Sequence, residues 1–246
     1  MLSFIQPDGE SQFVLFSLEH LFSLFVVIVI ILVIYWYRSS LKQPIPNKIS
    51  RGLLIIVLIV SDISLHAWLW WVDEWGFRNA LPLHLSSISL LLAALLLWIK
   101  NYRLFEFTYF VGVGSALQAM ITPDISLYTF PQFRYIQFFI AHGGIVVANL
   151  FMVFVEGFRP TWKSLWRAFF YLNLYTLFIF IFNIMIGSNY MYVSRKPINP
   201  SIIDYLGPWP WYIIPLEIIA LVTFFILYLP FWFTEKKSIC KKVKKI

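Results

Sequence analysis

The chain has 246 residues, of which 60% are hydrophobic and 13% charged, and it contains 25 Phe, 13 Tyr and 11 Trp. A soluble domain carries about 25% charged residues, and no single aqueous core could bury this much apolar surface, so a soluble protein is excluded and the fold class expected is an all-α polytopic membrane protein. The net charge of +7 might suggest a nucleic-acid partner, but its distribution along the chain argues against one.

Seven apolar runs can each cross about 30 Å of hydrocarbon. They cover 13–37, 52–72, 81–99, 104–122, 134–155, 166–187 and 211–233. No early segment ends in a small-residue cleavage site, so the first run reads as a retained helix. Connections are mostly short, so consecutive helices should be antiparallel neighbours in a seven-transmembrane-helix bundle. Residues 1–234 form one transmembrane domain in this reading, and 235–246 form a basic tail. The one cysteine, Cys240, lies among the tail lysines and gives neither a disulfide framework nor a thiolate metal site.

Lysine and arginine set the orientation. With the N-terminus outside, the inner segments hold Arg38, Lys42, Lys48 and Arg51, then Lys100 and Arg103, then Arg159, Lys163 and Arg167, then the six tail lysines. Only Arg78, Arg134, Arg195 and Lys196 fall outside. The bias places the C-terminus in the cytoplasm. The tail then faces anionic lipid, and no nucleic-acid partner is expected. Pro and aromatic residues crowd the outer loop 188–210, whose end runs into Trp209-Pro210-Trp211-Tyr212, as in an interfacial belt or a rigid lid.

Depth along each helix then sorts the polar residues. Glu19 and His20 fall near the outer end of the first run, Asp62 and His66 in the outer half of the second, and His84, Ser86 and Ser87 at the outer end of the third. Gln118 and Thr122 end the fourth, Gln137 and His142 begin the fifth, Asn183 ends the sixth and Glu217 begins the seventh. The acids read as lying within the spans are Glu19, Asp62 and Glu217, and the inner halves are read as holding little beyond Asn173 and a few hydroxyls. Ionisable groups in a membrane are costly and face a cavity or one another. The expectation is a polar pocket open to the outside, with Leu81-Pro82-Leu83-His84-Leu85-Ser86 as one wall. Individually, Asp62 with His66 also fits a structural ion pair, and Gly143-Gly144 beside His142 fits close helix packing.

Three chemistries compete for such a pocket. Nucleophilic acyl chemistry needs a hydroxyl, a histidine base and an orienting group, which Ser86 or Ser87, His84, His142 and Asp62 or Glu217 could supply. A metal site has enough donors but no H-x₃-H pair, and no metal or cofactor is assigned. Transport would call for polar groups in the inner half and broken helices at the midplane, and the sequence displays neither clearly.

Several motifs together resemble the YwaF-like family of bacterial integral membrane proteins. They are Leu81-Pro82-Leu83-His84-Leu85, Gly114-Ser115-Ala116-Leu117-Gln118-Ala119, Thr122-Pro123-Asp124, Phe130-Pro131, Tyr135-Ile136-Gln137-Phe138-Phe139, His142-Gly143, Asn189-Tyr190-Met191 and Gly207-Pro208-Trp209-Pro210-Trp211-Tyr212. More remotely, the chain is similar to transmembrane protein 164 acyltransferases, which use a cysteine and a histidine, and to androgen-induced membrane hydrolases, which use a threonine and a histidine. The resemblance implies a multi-pass protein of the bacterial cell membrane, with membrane phospholipids as partners and lipid-ester chemistry as its activity. It maps the histidine onto His142. The cysteine expected after Leu-His-Leu is Ser86 here, a poorer nucleophile at neutral pH that needs a base. The function read from the sequence is a lipid acyltransferase or lipid-ester hydrolase with His142, Ser86 and His84 as catalytic residues and Gln118, Asn183, Glu217, Asp62 and His66 around the substrate. The alternative is a non-enzymatic binding or transport protein for a small polar or lipidic ligand. Oligomeric state is left open.

Overall fold

In hydrocarbon the backbone can satisfy its polar groups only within a helix or a closed barrel, and every apolar run here forms a helix. The computed structural model describes residues 2–5, 12–125, 127–197 and 202–243. Its long helices are α1 (Leu18–Trp36), α2 (Pro44–Trp71), α3 (Leu85–Ile99), α4 (Tyr102–Ile121), α5 (Phe133–Phe154), α6 (Trp162–Ile186) and α7 (Ile213–Val243). Six of them are long and apolar enough to cross a membrane, whereas α3 is apolar but has only 15 residues. No strand occurs among the described residues.

Local chemistry sets the ends. Pro44 occupies the first turn of α2, where a missing N–H costs nothing. The helix therefore starts eight residues before the predicted run, carrying Lys48 and Arg51 within it. Asn101 caps α4 by accepting from the amides of Arg103 and Leu104 at 2.9 and 3.1 Å. A Thr161–Ser164 capping box opens α6, and Gly187 closes it at φ 68°. At the other extreme, α3 begins four residues later than its run. The loop side holds Leu81-Pro82-Leu83 in a turn closed by the Leu83 amide on the Leu81 carbonyl at 2.7 Å: the Leu81 amide donates to the Tyr190 hydroxyl at 2.9 Å, and Tyr175 donates to the Leu83 carbonyl at 3.0 Å.

Helix α5 is the centre of the bundle, 78% buried over its apolar window against 6% for α1 and 11% for α7. It packs on α1, α2, α3 and α4, while α6 and α7 pack on the far side of α4. Gly143 and Gly144 permit this. A Cβ on Gly143 would stand 2.8 Å from Val27 of α1, and one on Gly144 would stand 2.9 Å from Leu58 of α2. The outward faces of α1, α2, α6 and α7 are Leu, Ile, Val, Phe and Trp, as a surface facing acyl chains requires. In the middle of α4, residues Thr108–Gly112 form a π-helical turn with every residue buried. Such turns insert a residue into a helix and gather at functional sites.

The short connections make the helices alternate in direction, so α3 and α5 run parallel. One end of the bundle carries the loops 122–132 and 188–212 and is called the loop end below; the other carries most of the lysines and arginines and is called the basic end. The basic end holds more than expected. Glu106 lies inside α4 at 2% exposure, accepts from Ser164 at 2.6 Å and from Arg167 Nε at 3.0 Å, and pairs with Arg103 at 3.3 Å. The reading of Glu19, Asp62 and Glu217 as the acids of the spans is corrected accordingly. Glu217 itself accepts from Asn173 of α6 at 3.0 Å, so the two residues expected in opposite halves meet.

Candidate active site

Imidazole chemistry depends on which nitrogen holds the proton, and a fixed neighbour decides it. In His142 the Nδ1 lies 2.8 Å from the Phe138 carbonyl one turn earlier in α5. A carbonyl can only accept, so Nδ1 carries the hydrogen and Nε2 presents its lone pair. No other hydrogen bond to this ring occurs among the described residues. The other three histidines are arranged in reverse. His20 Nδ1 accepts from the Phe16 amide at 3.0 Å while Nε2 donates to the Met120 carbonyl at 2.8 Å, which clamps α1 to the end of α4. His66 Nδ1 accepts from the Trp75 indole at 3.2 Å and its Nε2 faces Asp62 at 3.8 Å. His84 Nδ1 accepts from the Met191 amide at 3.4 Å, leaving the proton on Nε2. His142 alone offers a buried imidazole nitrogen as a base.

A single contact sets the register of α3 against α5. A Cβ on Gly112, at the end of the π turn, would lie 3.3 Å from both Ser89 Cβ and Ile145 Cγ2. Ser89 and Ile145 are therefore at one level on parallel helices. Three residues toward the loop end, about 4.5 Å along each axis, are Ser86 and His142. Ser86 is half-buried, and no hydrogen bond joins it to His142 or His84 among the described residues. Beneath it, Ser89 is fully buried and its hydroxyl has no hydrogen-bond partner among the described residues. Below that, Asn149 accepts from Thr108 at 2.8 Å and donates to the Ile145 carbonyl at 2.9 Å. Toward the loop end, the Phe138 ring lies 4.1 Å from that of His142, and the Arg134 guanidinium sits over Phe138 at 5.5 Å. One face of α5 thus runs Arg134, Phe138, His142, Ile145, Asn149, polar at both ends with the imidazole between.

A roof closes the loop end. His84 packs edge-on against Tyr190 and tilted against Tyr192, with ring centroids 5.3 and 5.5 Å away. Tyr190 donates to the Phe77 carbonyl at 2.8 Å, and Tyr192 donates to Asp124 at 3.3 Å. Met191 and Tyr192 both have positive φ, 58° and 55°, a left-handed backbone that side chains other than glycine adopt at a cost. The turn is held there by Asn183, whose amide donates to the Tyr190 carbonyl at 3.0 Å and accepts from Ser188 and from the Tyr190 amide, and by the Tyr212 hydroxyl bound to the Tyr192 carbonyl. Burial and the neighbouring Asp124 push the Tyr192 phenol up to about 12.

Comparison with known sequences decides the lineage. The TMEM164 family matches residues 15–228. The chain belongs to the TMEM164 family. Family membership and the apolar helices make it a multi-pass membrane protein. No curated protein and no solved structure matches it. In this member of the family, the α3 wall and the His142 face of α5 both lie inside the matched span.

The remaining predicted site residues fall at other places. Asp62 and His66 pair with each other on α2, next to Ser61, which Gln137 of α5 binds through Nε2 at 3.2 and 3.3 Å. Gln137 in turn accepts from Arg134 at 2.6 Å, so this pair adjoins the site through a relay. Asn183 spends its amide on the roof. Gln118 is exposed on α4, and Glu217 is engaged with Asn173. Arg134 and Ser89 were not singled out from the sequence. Arg134 counted there only as a loop charge, and its fourfold spacing to Phe138 and His142 was the available signal. Ser89 was one hydroxyl among three in Ser86-Ser87-Ile88-Ser89, and only its burial against Gly112 distinguishes it.

Proposed function

We propose that this protein is a membrane-embedded lipid acyltransferase or lipid-ester hydrolase. Its polar site faces the outer leaflet of the bacterial cell membrane, in a seven-span bundle of YwaF-like type with its N-terminus outside and its C-terminus in the cytoplasm. The observation that carries the reading is the tautomer of His142: a buried imidazole oriented by a backbone carbonyl, on a residue three positions from Ile145 as Ser86 is from Ser89. A histidine held in this way is a general base for a hydroxyl nucleophile. Family membership supports the same chemistry.

In the proposed reaction, Ser86 Oγ attacks the ester carbonyl of a phospholipid and its proton passes to His142 Nε2. The carbonyl oxygen becomes an oxyanion, for which His84, protonated at Nε2, is the candidate donor. Collapse breaks the ester C–O bond, and the departing glycerol oxygen takes the proton from His142. A lysolipid hydroxyl, or water, then attacks the carbonyl of the seryl ester and gives its proton to His142; the seryl C–O bond breaks, the acylated lipid or free fatty acid leaves, and Ser86 Oγ takes the proton back from His142. Arg134, above Phe138, is suited to the lipid phosphate. Asp62 and His66 of α2 support the site through Ser61 and Gln137 of α5.

The test is acyl movement from labelled phospholipid to lysolipid, or acyl release, by purified protein. His142→Gln and Ser86→Ala should each lower the rate by about 10²–10⁴-fold with the fold unchanged. A folded wild type that moves no acyl group across lipid classes ends the enzymatic reading. A Ser86→Ala variant that keeps binding labelled lipid, with no turnover in either form, establishes the non-enzymatic lipid-binding alternative.

A further inference from the structure

The basic end of the bundle contains a cavity that the chemistry above does not use. It has a volume of about 400 Å³ and lies where the start of α2, the end of α3 and the end of α5 converge. Its charged and amide walls are Lys42, Asn47, Lys48, Arg51, Lys100 and Glu156. Four cations therefore share one carboxylate.

The inner part is built rather than incidental. Glu156 takes Lys100 Nζ at 2.8 Å and the Asn47 amide at 2.8 Å. Asn47 accepts from Arg51 Nε at 2.9 Å and from Lys100 at 3.1 Å. Arg51 also donates to the Leu97 carbonyl and, at 3.4 Å, to that of Trp98, which ties it to the end of α3. Lys100 has left-handed backbone, φ 51° and ψ 40°, at a tight turn where glycine would be unstrained. Its ammonium is thereby aimed into the cavity. At the rim, Lys42 and Lys48 are exposed and have no ion-pair or hydrogen-bond partner among the described residues. A signal for orientation alone requires only that these charges lie on one side. It does not require residues from three distant stretches of chain to enclose one concave space in which positive charge exceeds negative by three.

We propose that this cavity binds a phosphate group, that of an anionic lipid headgroup or a free phosphate. Arg51 and Lys100 are fixed donors at its base, and Lys42 and Lys48 close on the anion from the rim. The site is separate from the tail lysines and does not depend on the acyl-transfer reading.

Wild type in phosphatidylcholine nanodiscs is titrated with short-chain phosphatidate, phosphatidylglycerol, inorganic phosphate and glycerol phosphate, with occupancy read by native mass spectrometry and thermal shift. Lysines near an anionic headgroup each contribute appreciably, so the double variant Lys42→Gln, Lys48→Gln should bind roughly tenfold more weakly. Those side chains are exposed and make no hydrogen bond or ion pair among the described residues, and the tail lysines remain in place. Lys100→Gly keeps the turn and should also weaken binding. Lipid occupancy without phosphate occupancy assigns a headgroup, and phosphate occupancy at comparable strength assigns the free anion. Either result, if lost in both variants, upholds the site. Absence of binding by all four probes, or equal binding by wild type and both variants, overturns it.

Discussion

Two histidines that would look alike in a sequence differ in what the chain gives their Nδ1. In the middle of α5 the nearest partner is the Phe138 carbonyl, so His142 keeps Nε2 as a base. At the head of α3 the partner is the Met191 amide, so His84 is a donor at Nε2. The position of His142 was legible from the sequence, as a histidine followed by Gly143-Gly144 in a long apolar run. Its tautomer was not, because that depends on a side-chain rotamer. His84 makes a prediction through the contact at its Nδ1. Protonation of Nδ1 would displace the Met191 amide, beside Asp124, Tyr190 and Tyr192. The protection of the Met191 amide against deuterium exchange, corrected for the intrinsic dependence of exchange on pH, should fall on acidification in wild type, and that dependence should flatten in His84→Phe. An equal acid response in both would refute the linkage.

Among the elements, α4 was the one least completely read. Its run was legible as a span, but neither the π turn nor the role of Glu106 could be seen in it. The π turn ends at Gly112, where a Cβ would crowd Ser89 and Ile145 of two other helices, and no local pattern encodes that neighbourhood. Glu106 was overlooked because Arg103 and Arg167 had been read as markers of orientation only, and a carboxylate between them is invisible until α4 and α6 are brought together. Buried and bound by Ser164, Arg103 and Arg167, it fixes α6 against α4. Removing Glu106 frees two arginines that are 36% and 69% open to solvent, but it leaves the buried Ser164 hydroxyl without its acceptor, at a cost of about 1–3 kcal/mol. Glu106→Ala should therefore lower the unfolding temperature far more than Arg103→Ala, because Arg103 is the more exposed partner, with 69% of its side chain open to solvent. Similar losses from the two substitutions would mean that Glu106 does not hold the helices together.

For the molecule as a whole, hydrophobic periodicity and length located every long helix to within a few residues at most ends. The exceptions were α2, which extends eight residues further toward the basic end, and α7, which continues through Val243. Both overshoot where side chains turn basic, since a helix need not stop where the hydrocarbon does. The proposed orientation makes a direct prediction. In a Cys240→Ser background, Arg195→Cys should react with an impermeant maleimide added outside cells, and Lys163→Cys should react only after permeabilisation; the opposite pattern would invert the topology. The short helix α3 has a consequence of its own. Fifteen residues span about 22 Å, against about 30 Å of hydrocarbon. With its far end tied to Arg51 at the basic end, α3 falls about 8 Å short of that thickness. Phospholipid ester linkages sit at the boundary of the hydrocarbon, so in the proposed orientation an ester meets Ser86 only where the bilayer thins or the lipid is drawn inward by about that distance. If the proposed acyl chemistry holds, turnover in phosphatidylcholine bilayers should rise as acyl length shortens toward the span of α3 and fall as the bilayer thickens, whereas a rate indifferent to thickness would show that the short helix sets no depth.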